Sequence, residues 1–149
     1  MPVVRTLVGL GPSRWLGIIR LAALSILVEA GLKAMSLPRL ANLMGVPLAL
    51  NRSAGVGNID QLLLSQMERE LLDSAWRMLR HRPFKGTCLR RALIGGHILR
   101  RHKPTLLIGV AKSDGQVRAH AWVELRGISL DPDADLGYAA LRSPMEGHK

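Results

Sequence analysis

The sequence predicts an α+β fold, with helices first and an antiparallel sheet after them. Up to residue 104, apolar residues recur mainly at helical spacing, and from Thr105 onward the spacing changes to that of strands. Two turn signals, Asp114-Gly115 and Arg126-Gly127, divide the last part of the chain into short strands. Helices that precede a run of antiparallel strands are typical of α+β domains.

Length and composition fit one folded domain, here 1–149. The chain has 149 residues, of which 48% are hydrophobic and 21% charged, and this excludes a disordered chain. Within the domain we distinguish an N-terminal helical segment and loop, 1–57, from a core, 58–149. Cys88 is the single cysteine. It excludes an internal disulfide and a thiolate zinc site, and it favours a reducing, cytoplasmic location.

The net charge of +10 favours acidic partners. Neither Asp nor Glu occurs between Ser74 and Ser113. Nucleic-acid-binding proteins usually interleave aromatic side chains for stacking, and only Trp76 and Phe84 fall in this span. The pattern therefore argues against nucleic acid, and it fits either a solvated basic face or a surface that binds an acidic partner. The cations of this acid-free span include Arg77, Arg80, Arg82, Lys85, Arg90, Arg91, Arg100, Arg101 and Lys103.

The first helix is predicted over 13–35, where Glu29 and Lys33 form an i,i+4 charge pair. Its continuous apolar run, 16–28, contains Arg20 and is shorter than the roughly 20 apolar residues that a membrane-spanning helix needs. We therefore expect this helix to dock on the domain or on a partner, and contact with a membrane surface is the less favoured alternative. One apolar face carries Leu16, Ile19, Ala23, Ile26 and Ala30.

Two helical pieces should follow before the cysteine. Ser36-Leu37-Pro38 interrupts the first helix, because proline disfavours a helical conformation before it, and a short helix over 40–44 comes next. The second long helix is predicted to begin near Asn58 or Asp60, with Gln61 in capping-box spacing after Asn58. Its predicted core stripe is Leu64, Met67, Leu71, Ala75 and Met78.

A third helix is predicted over 88–101, with Thr87 as its cap. The pair Gly95-Gly96 in its middle costs about 1 kcal/mol per residue relative to alanine, which is tolerable where another backbone packs close. No chemistry is assigned to His97 or His102. The expected apolar contacts of this helix are Leu89, Leu93 and Leu99.

Strands are predicted over 105–111, 116–125 and 128–131. The middle strand alternates strictly between two faces. Its apolar face carries Val117, Ala119, Ala121, Val123 and Leu125, and its other face carries Arg118, His120, Trp122 and Glu124.

Cys88 stands at a helix start, where free backbone N–H groups and the helix dipole favour an anion such as a thiolate. Lys85, Arg90 and Arg91 act in the same direction. His120 lies on the polar-looking face of the middle strand, where a core histidine is less expected. Taken alone, these residues leave an inert core thiol as the alternative.

The hairpin after His120 brings two aspartates within reach of that histidine. If Arg126-Gly127 is a two-residue loop, Asp131 lies opposite Trp122 and Asp133 lies opposite His120. Both then share the face of His120, so either can orient its ring. A cysteine on a helix start beside a His–Asp pair on strands is the arrangement that covalent acyl chemistry needs.

The stretches "TCLRRAL" and "LLIGVAKSDGQVRAHAWVELRGISLDPD" resemble the core of the transglutaminase-like cysteine proteases. Within that group they are most similar to the leader-peptide proteases of lasso-peptide biosynthesis. The resemblance implies that Cys88 is the nucleophile, His120 its base and Asp131 the orienting acid, with Asp133 still open as the alternative acid. It implies no cofactor and no metal.

The same resemblance implies a cytoplasmic protease that cleaves the leader peptide from a ribosomally made lasso-peptide precursor. Its partners would be the precursor's leader, a separate leader-recognition protein and an ATP-dependent, asparagine-synthetase-like cyclase. Amide transfer or deamidation by the same residues is one alternative, and a non-catalytic binding subunit of a peptide-maturation complex is another.

Overall fold

The computed structural model describes residues 12–49, 62–80, 87–113, 116–130 and 139–140. These residues form an α+β fold, as the sequence predicts. The helices are α1 (Pro12–Ala34), α2 (Leu37–Leu43), α3 (Gln66–Arg80) and α4 (Cys88–Ile98), followed by a 3-10 turn, Arg100–His102. The strands are β1 (Thr105–Ser113), β2 (Gln116–Leu125), β3 (Ile128–Ser129) and β4 (Ala139–Ala140).

The sheet has the strand order β3-β2-β1-β4, and its neighbouring strands are antiparallel. β1 pairs with β2 along its whole length, so Gly109 lies opposite His120. Arg126 and Gly127 have φ angles of 53° and 81° and form the two-residue turn between β2 and β3. Two successive positive φ values suit the right-handed twist of the flanking strands. The predicted hairpin is therefore confirmed, with Leu125 opposite Ile128.

The other edge of β1 is covered by two short segments, neither of which the sequence predicted. β4 pairs with β1 at Gly109 and Val110. Nearer the start of β1, the segment 47–49 runs parallel to it: the N–H of Ala49 donates to the Leu106 carbonyl, and the N–H of Leu106 donates to the Pro47 carbonyl, both at 2.9 Å.

α4 begins where predicted and lies at the centre of the core. The Thr87 hydroxyl accepts a hydrogen bond from the N–H of Arg90 at 3.4 Å, which confirms the predicted cap. Leu93 and Leu99 are completely buried. The helix ends at Ile98, short of the predicted 101, because the chain tightens into the 3-10 turn before Pro104.

The two adjacent glycines of α4 leave room for side chains of neighbouring elements to pack against the helix backbone. A Cβ atom on Gly95 would lie 2.6 Å from the Trp76 ring, and one on Gly96 would lie 2.6 Å from a Val46 methyl group. The close neighbours are thus side chains, not the backbone that the sequence led us to expect. Trp76 belongs to α3 and Val46 to the segment after α2, so both elements approach α4 closely at these glycines.

α1 docks on the domain by one face only. Val28 is completely buried, Leu21 is 4% exposed, and Gly31 packs beneath Leu40 of α2. Glu29 forms ion pairs with Lys33, at 3.5 Å, and with Arg90 of α4. The face that the sequence marks as apolar points away from the domain, since Leu16, Ile19, Ala23, Ile26 and Ala30 are all exposed.

The break between α1 and α2 occurs where it was predicted. Ser36 has extended backbone angles, and Pro38 lies in the first turn of α2, where a missing N–H leaves no hydrogen bond unmade.

α3 begins at Gln66, several residues later than the sequence predicted. Ser65 and Glu68 form a capping box: the Ser65 N–H donates to a Glu68 carboxylate oxygen at 2.9 Å, and the Glu68 N–H donates to the Ser65 hydroxyl at 3.3 Å. This pair sets the helix start, and Leu64 consequently lies before the helix. Asn58, Asp60 and Gln61, the predicted caps, lie outside the described residues.

The buried stripe of α3 agrees with the predicted one in part. Ala75 is completely buried, and Leu64 and Met78 pack against the core, whereas Met67 is 71% exposed. Leu72 and Leu79, which the sequence did not mark as core, are also buried.

The two helix glycines Gly96 and Gly17 should respond in opposite ways to alanine. Gly96→Ala should lower the free energy of unfolding by about 1–3 kcal/mol, because the rigid, buried Val46 has no room to move. At Gly17, in α1, an added Cβ atom would have no neighbour within 4 Å. Gly17→Ala should therefore stabilise by up to about 1 kcal/mol through helix propensity alone.

Urea unfolding of both variants measures these effects. The double variant Gly96→Ala/Val46→Ala should recover part of the stability lost in Gly96→Ala. A Gly96→Ala protein that is as stable as the wild type would contradict the packing described here.

Glu68 should make stability depend on pH at the acid end. The hydrogen bond from the Ser65 N–H, helped by the Ser65 hydroxyl and His102, holds the pKa of Glu68 below its usual value of 4.5 despite partial burial, which raises it. A carboxyl whose folded pKa is depressed stabilises the fold above its unfolded pKa, and this stabilisation is lost as the pH falls through the folded pKa. Glu68→Ala should therefore destabilise by about 1 kcal/mol at pH 7 and by less at pH 3.

Chemical unfolding at the two pH values measures the difference. The matched control is Glu70→Ala, in the same helix, whose carboxylate accepts a hydrogen bond from Gln66 at 3.0 Å. It should change the free energy of unfolding by less than about 0.5 kcal/mol at either pH. An equal loss for Glu68→Ala at pH 7 and pH 3 would refute the assignment.

Candidate active site

Cys88 is the first residue of α4, and its thiol is half-buried and free. Thr87, with extended backbone angles, ends the preceding segment and caps the helix through Arg90. The first backbone N–H groups of a helix have no partner within the helix, and together with the helix dipole they favour negative charge nearby. A thiolate at Cys88 would therefore stand in a favourable electrostatic position.

The two described arginines next to Cys88 also hold α4 in place. Arg90 forms an ion pair with Glu29 of α1. The guanidinium of Arg91 lies over the ring of Trp76 in α3, 5.5 Å from its centroid. The sequence suggests them as thiolate stabilisers, and the structure adds that they join α4 to α1 and α3. Lys85, the third cation of that prediction, lies outside the described residues.

His120 lies on β2 at a boundary in burial. Residues 116–119 are exposed on both faces of the strand and residues 121–125 are buried on both faces, with His120 half-buried between them. The division expected from the sequence, an apolar buried face and a polar exposed one, is wrong: Val117 is 71% exposed, whereas Trp122 and Glu124 are buried. The exposed half of the β1–β2 hairpin extends beyond the packed core. The position of a β2 residue relative to the end of the core, and not the polarity of its side chain, therefore determines whether it is buried.

The ring of His120 stacks on that of Trp122. Their centroids are 6.0 Å apart and the planes differ by 16°. Trp122 is 1% exposed and thus fixed by its surroundings. One face of the histidine ring therefore rests on a rigid indole, which restricts the orientations that His120 can adopt.

Lengths along the chain predict that Cys88 and His120 lie toward the same end of the helix–sheet layer. From Cys88 to Ile98, α4 rises about 15 Å. The chain then turns at Arg100–His102, and β1 returns alongside α4. From Thr105 to Gly109 it covers about 14 Å. Gly109 lies opposite His120. Because the rise along α4 and the return along β1 are nearly equal, Cys88 and His120 should lie at similar heights along the layer.

A small cleft lies between α4 and β2, and its lining includes neither Cys88 nor His120. Arg91 and Ala92, which line it, come one helical turn after Cys88, and Trp122, which also lines it, is stacked on the ring of His120. The lining combines indole surface with one guanidinium group. The lining residues are Trp76, Arg91, Ala92, Gly95, Trp122, Val123 and Leu130.

Two buried side chains of the same strand face have polar atoms without partners. Within the described part of the chain, neither carboxylate oxygen of Glu124 nor the indole N–H of Trp122 makes a hydrogen bond. Glu124 is only 2% exposed. Such groups lower stability, and native proteins retain them chiefly at functional sites.

The proposed acid of the site lies outside the described residues, as does its alternative: Asp131 and Asp133 both follow Leu130. The hairpin register that led to them is nevertheless observed as far as Leu130, whose N–H donates to the carbonyl of Val123 at 2.9 Å. The assignment of Cys88, His120 and Asp131 as a triad stays a prediction. Among the residues with described placement, no group of three or more His, Cys, Asp or Glu side chains could hold a metal ion.

A family comparison covers most of the chain. The family model described as the transglutaminase-like superfamily matches residues 24–143. The chain belongs to this superfamily. Transglutaminase-like proteins are generally cysteine peptidases or acyl transferases, so chemistry of the cysteine acyl type is indicated for this chain. No curated protein and no solved structure matches the chain.

The transglutaminase-like match includes the cysteine, the histidine and both aspartates named above. Trp76 and the Trp76–Arg91 stack were not part of the site predicted from the sequence. Their signal was present, since Trp76 is one of two aromatic residues in the acid-free span. That Trp76 would reach the first turns of α4 depends on the glycine at position 95 and could not be read from local sequence.

Replacing Glu124 should separate stability from function. Glu124→Leu removes a buried carboxylate that has no partner in the described part of the chain, so the free energy of unfolding at pH 7 should stay equal or rise by about 1–3 kcal/mol. Activity should fall if the carboxylate serves the site. Urea unfolding together with the peptide-cleavage assay described below measures both.

Glu70→Leu, the same change at an exposed position of α3, is the control and should alter stability by less than about 0.5 kcal/mol. A loss of more than about 1 kcal/mol in Glu124→Leu would mean that this carboxylate stabilises the fold.

Proposed function

We propose that this chain is a cysteine protease that cleaves the leader peptide from a ribosomally synthesised lasso-peptide precursor. The observations that support the proposal are that Cys88 is the first residue of α4, after the Thr87 cap, and that the ring of His120 is stacked on Trp122. Membership of the transglutaminase-like superfamily supports acyl chemistry at this cysteine. The resemblance of "AHAWVE" and "LDPD" to the lasso leader proteases supports the choice of substrate.

The proposed reaction begins with attack of the Cys88 thiolate on the carbonyl carbon at the leader–core junction. The backbone N–H of Cys88, at the helix start, is the natural first donor to the oxyanion, and such a donor stabilises the transition state by roughly 3–4 kcal/mol. Protonated His120 then gives its proton to the leaving amine as the peptide C–N bond breaks, which leaves a thioester on Cys88.

Water completes the cycle. Neutral His120 removes a proton from the water that attacks the thioester carbonyl, the C–S bond breaks, and the leader carboxylate and the Cys88 thiolate are released. Asp131 holds the tautomer and orientation of His120, with Asp133 as the alternative. Stacking on Trp122 supports the same orientation, so the orientation of the His120 ring does not depend on the aspartate alone.

The proposed partners are the leader segment of the precursor, a separate leader-recognition protein and an ATP-dependent cyclase of the asparagine-synthetase type, all in the cytoplasm. Support for an acidic protein or peptide partner comes from the acid-free span, in which Arg77, Arg80, Arg100, Arg101 and Lys103 have exposed side chains. Long, exposed cations of this kind chiefly raise association rates and fix orientation.

The cysteine should be indispensable for cleavage. In an assay of purified protein, precursor peptide and recognition protein, Cys88→Ala should lower the rate of leader cleavage by about 10³-fold or more, since no other group can form the thioester. Mass spectrometry of the two peptide fragments measures the rate, and pull-down of the precursor tests whether binding survives. Cleavage that persists in Cys88→Ala would show that the nucleophile is assigned wrongly.

The same assay resolves the acid and the reaction type. Of Asp131→Ala and Asp133→Ala, one should lose most activity, whereas Asp73→Ala, an exposed aspartate of α3, should retain it. Full activity in both variants would refute the triad. Capture of the leader acyl group by an added amine in place of water, which gives a leader fragment that ends in an amide and not in a carboxylate, would instead indicate an amide transferase. Precursor binding without any reaction would indicate a binding subunit.

A further inference from the structure

The outward face of α1 is an unbroken apolar stripe. Six of its large apolar residues are between 38% and 65% exposed, and five of these share one side of the helix: Trp15, Leu16, Ile19, Ile26 and Leu27. With Ala23 and Ala30, which are also exposed, they line one side of the helix. We call these seven residues the outer stripe.

The outer side of α1 differs from that of an ordinary surface helix. Such a helix directs apolar residues inward and polar residues outward. Here the inward face is apolar, with Leu21 and Val28 buried, and the outer stripe is apolar as well. The segment Trp15–Ala34 has a mean hydropathy of 1.8, yet only 17% of it is buried against the domain. Large exposed apolar patches mark surfaces that bind protein or lipid, so the outer stripe indicates a binding surface.

Charge favours lipid as the partner of this surface. The first 28 residues contain Arg5, Arg14 and Arg20 but no Asp or Glu, and the chain as a whole carries a net charge of +10. Of these cations, Arg20 is described and exposed, as is Lys33 at the other end of α1. Exposed cations on an apolar helix, with a tryptophan at one end, are typical of helices that bind anionic membrane surfaces. An apolar face of another protein would gain nothing from this excess of positive charge.

The first turns of α1 lie outside the part of the chain that matches the superfamily. The match begins at residue 24. Trp15, Leu16 and Ile19 precede it, so the first exposed turns of α1 are additional to the part of the chain that represents the superfamily.

Contacts of α1 with the domain decide between lying on a membrane and crossing it. The helix is long and apolar enough to cross. Crossing would expose Val28 and Leu21, would remove Gly31 from Leu40 and would break the ion pair of Glu29 with Arg90. A helix that lies in the plane of the interface keeps all of these contacts and buries the outer stripe by about 5–10 Å.

We propose that α1 binds an anionic lipid surface through the outer stripe and thereby places the domain on the membrane. The sequence alone made this the less favoured alternative to docking on the domain or on a partner. The structure changes that expectation because it shows that the apolar outer stripe of α1 is exposed and does not pack on the domain. This attachment is independent of the chemistry at Cys88.

Vesicle sedimentation tests the proposal. The full chain is mixed with vesicles of equal parts phosphatidylcholine and phosphatidylglycerol, and in parallel with vesicles of phosphatidylcholine alone. The protein should sediment with the anionic vesicles, less with the neutral ones, and less at high salt, since its cations then lose part of their attraction. Ile19→Gln/Ile26→Gln should lower the partition coefficient by at least about tenfold, because two apolar side chains no longer enter the interface.

The matched control is Leu63→Gln/Val117→Gln, which removes two apolar side chains that are 88% and 71% exposed but lie outside α1. It should bind vesicles as the wild type does. Quenching by brominated lipids provides a second measurement: it should be strong in the wild type and weak in Trp15→Phe, because Trp76 and Trp122 lie within the domain.

Three results would overturn the proposal. The wild type could stay in the supernatant with anionic vesicles. Ile19→Gln/Ile26→Gln could bind them as tightly as the wild type, which would assign binding to the basic surface alone. Gel filtration without lipid could show a dimer that this double variant abolishes, in a protein that ignores vesicles, which would make the stripe an interface between two copies of the chain.

Discussion

The close approach of two side chains to adjacent glycines of α4 is the constraint on which the rest of the structure depends. Trp76 occupies the space over Gly95 and Val46 the space over Gly96. With Glu29 paired to Arg90 and the indole of Trp76 beneath Arg91, α4 is held by α1, by α3 and by the segment after α2. A helix fixed in this way carries its first residue to a defined place. The two glycines weaken α4 as an isolated helix, and the packing that they permit offsets this cost.

The sheet positions the histidine by different means. Full-length pairing of β1 with β2 fixes which residue faces which, and the end of the packed core decides where burial stops along β2. His120 stands at that limit, so its ring is supported on one side by Trp122 and is only half-buried. A catalytic base needs both conditions, a fixed orientation and access to substrate. The change from exposed to buried residues along β2 thus explains why the candidate site lies at His120, and this explanation does not depend on the superfamily match.

Features governed by neighbouring residues were readable from the sequence, and those governed by distant packing were not. The Thr87 cap, the Arg126-Gly127 turn and the α+β order rest on local chemistry, and the structure confirms them. The start of α3 was wrong because two capping boxes compete, and the observed box of Ser65 and Glu68 was overlooked. The burial expected for the two faces of β2 was wrong, because alternation predicts which residues share a side of the strand but not how far along the strand the core extends. β4 was missed because two residues are too few to give a pattern.

Cover for the outer edge of β1 comes from both ends of the chain. The segment 47–49 pairs with it near Leu106, and β4 pairs with it at Gly109 and Val110. An uncovered strand edge is a template for pairing with other chains and hence for aggregation. The N-terminal helical segment is therefore more than an appendage to the half that carries the cysteine and the histidine. A fragment that began after this segment would keep Cys88 and His120, but it would bare backbone groups of β1 and would lose the contacts of Val46 and Glu29 that hold α4.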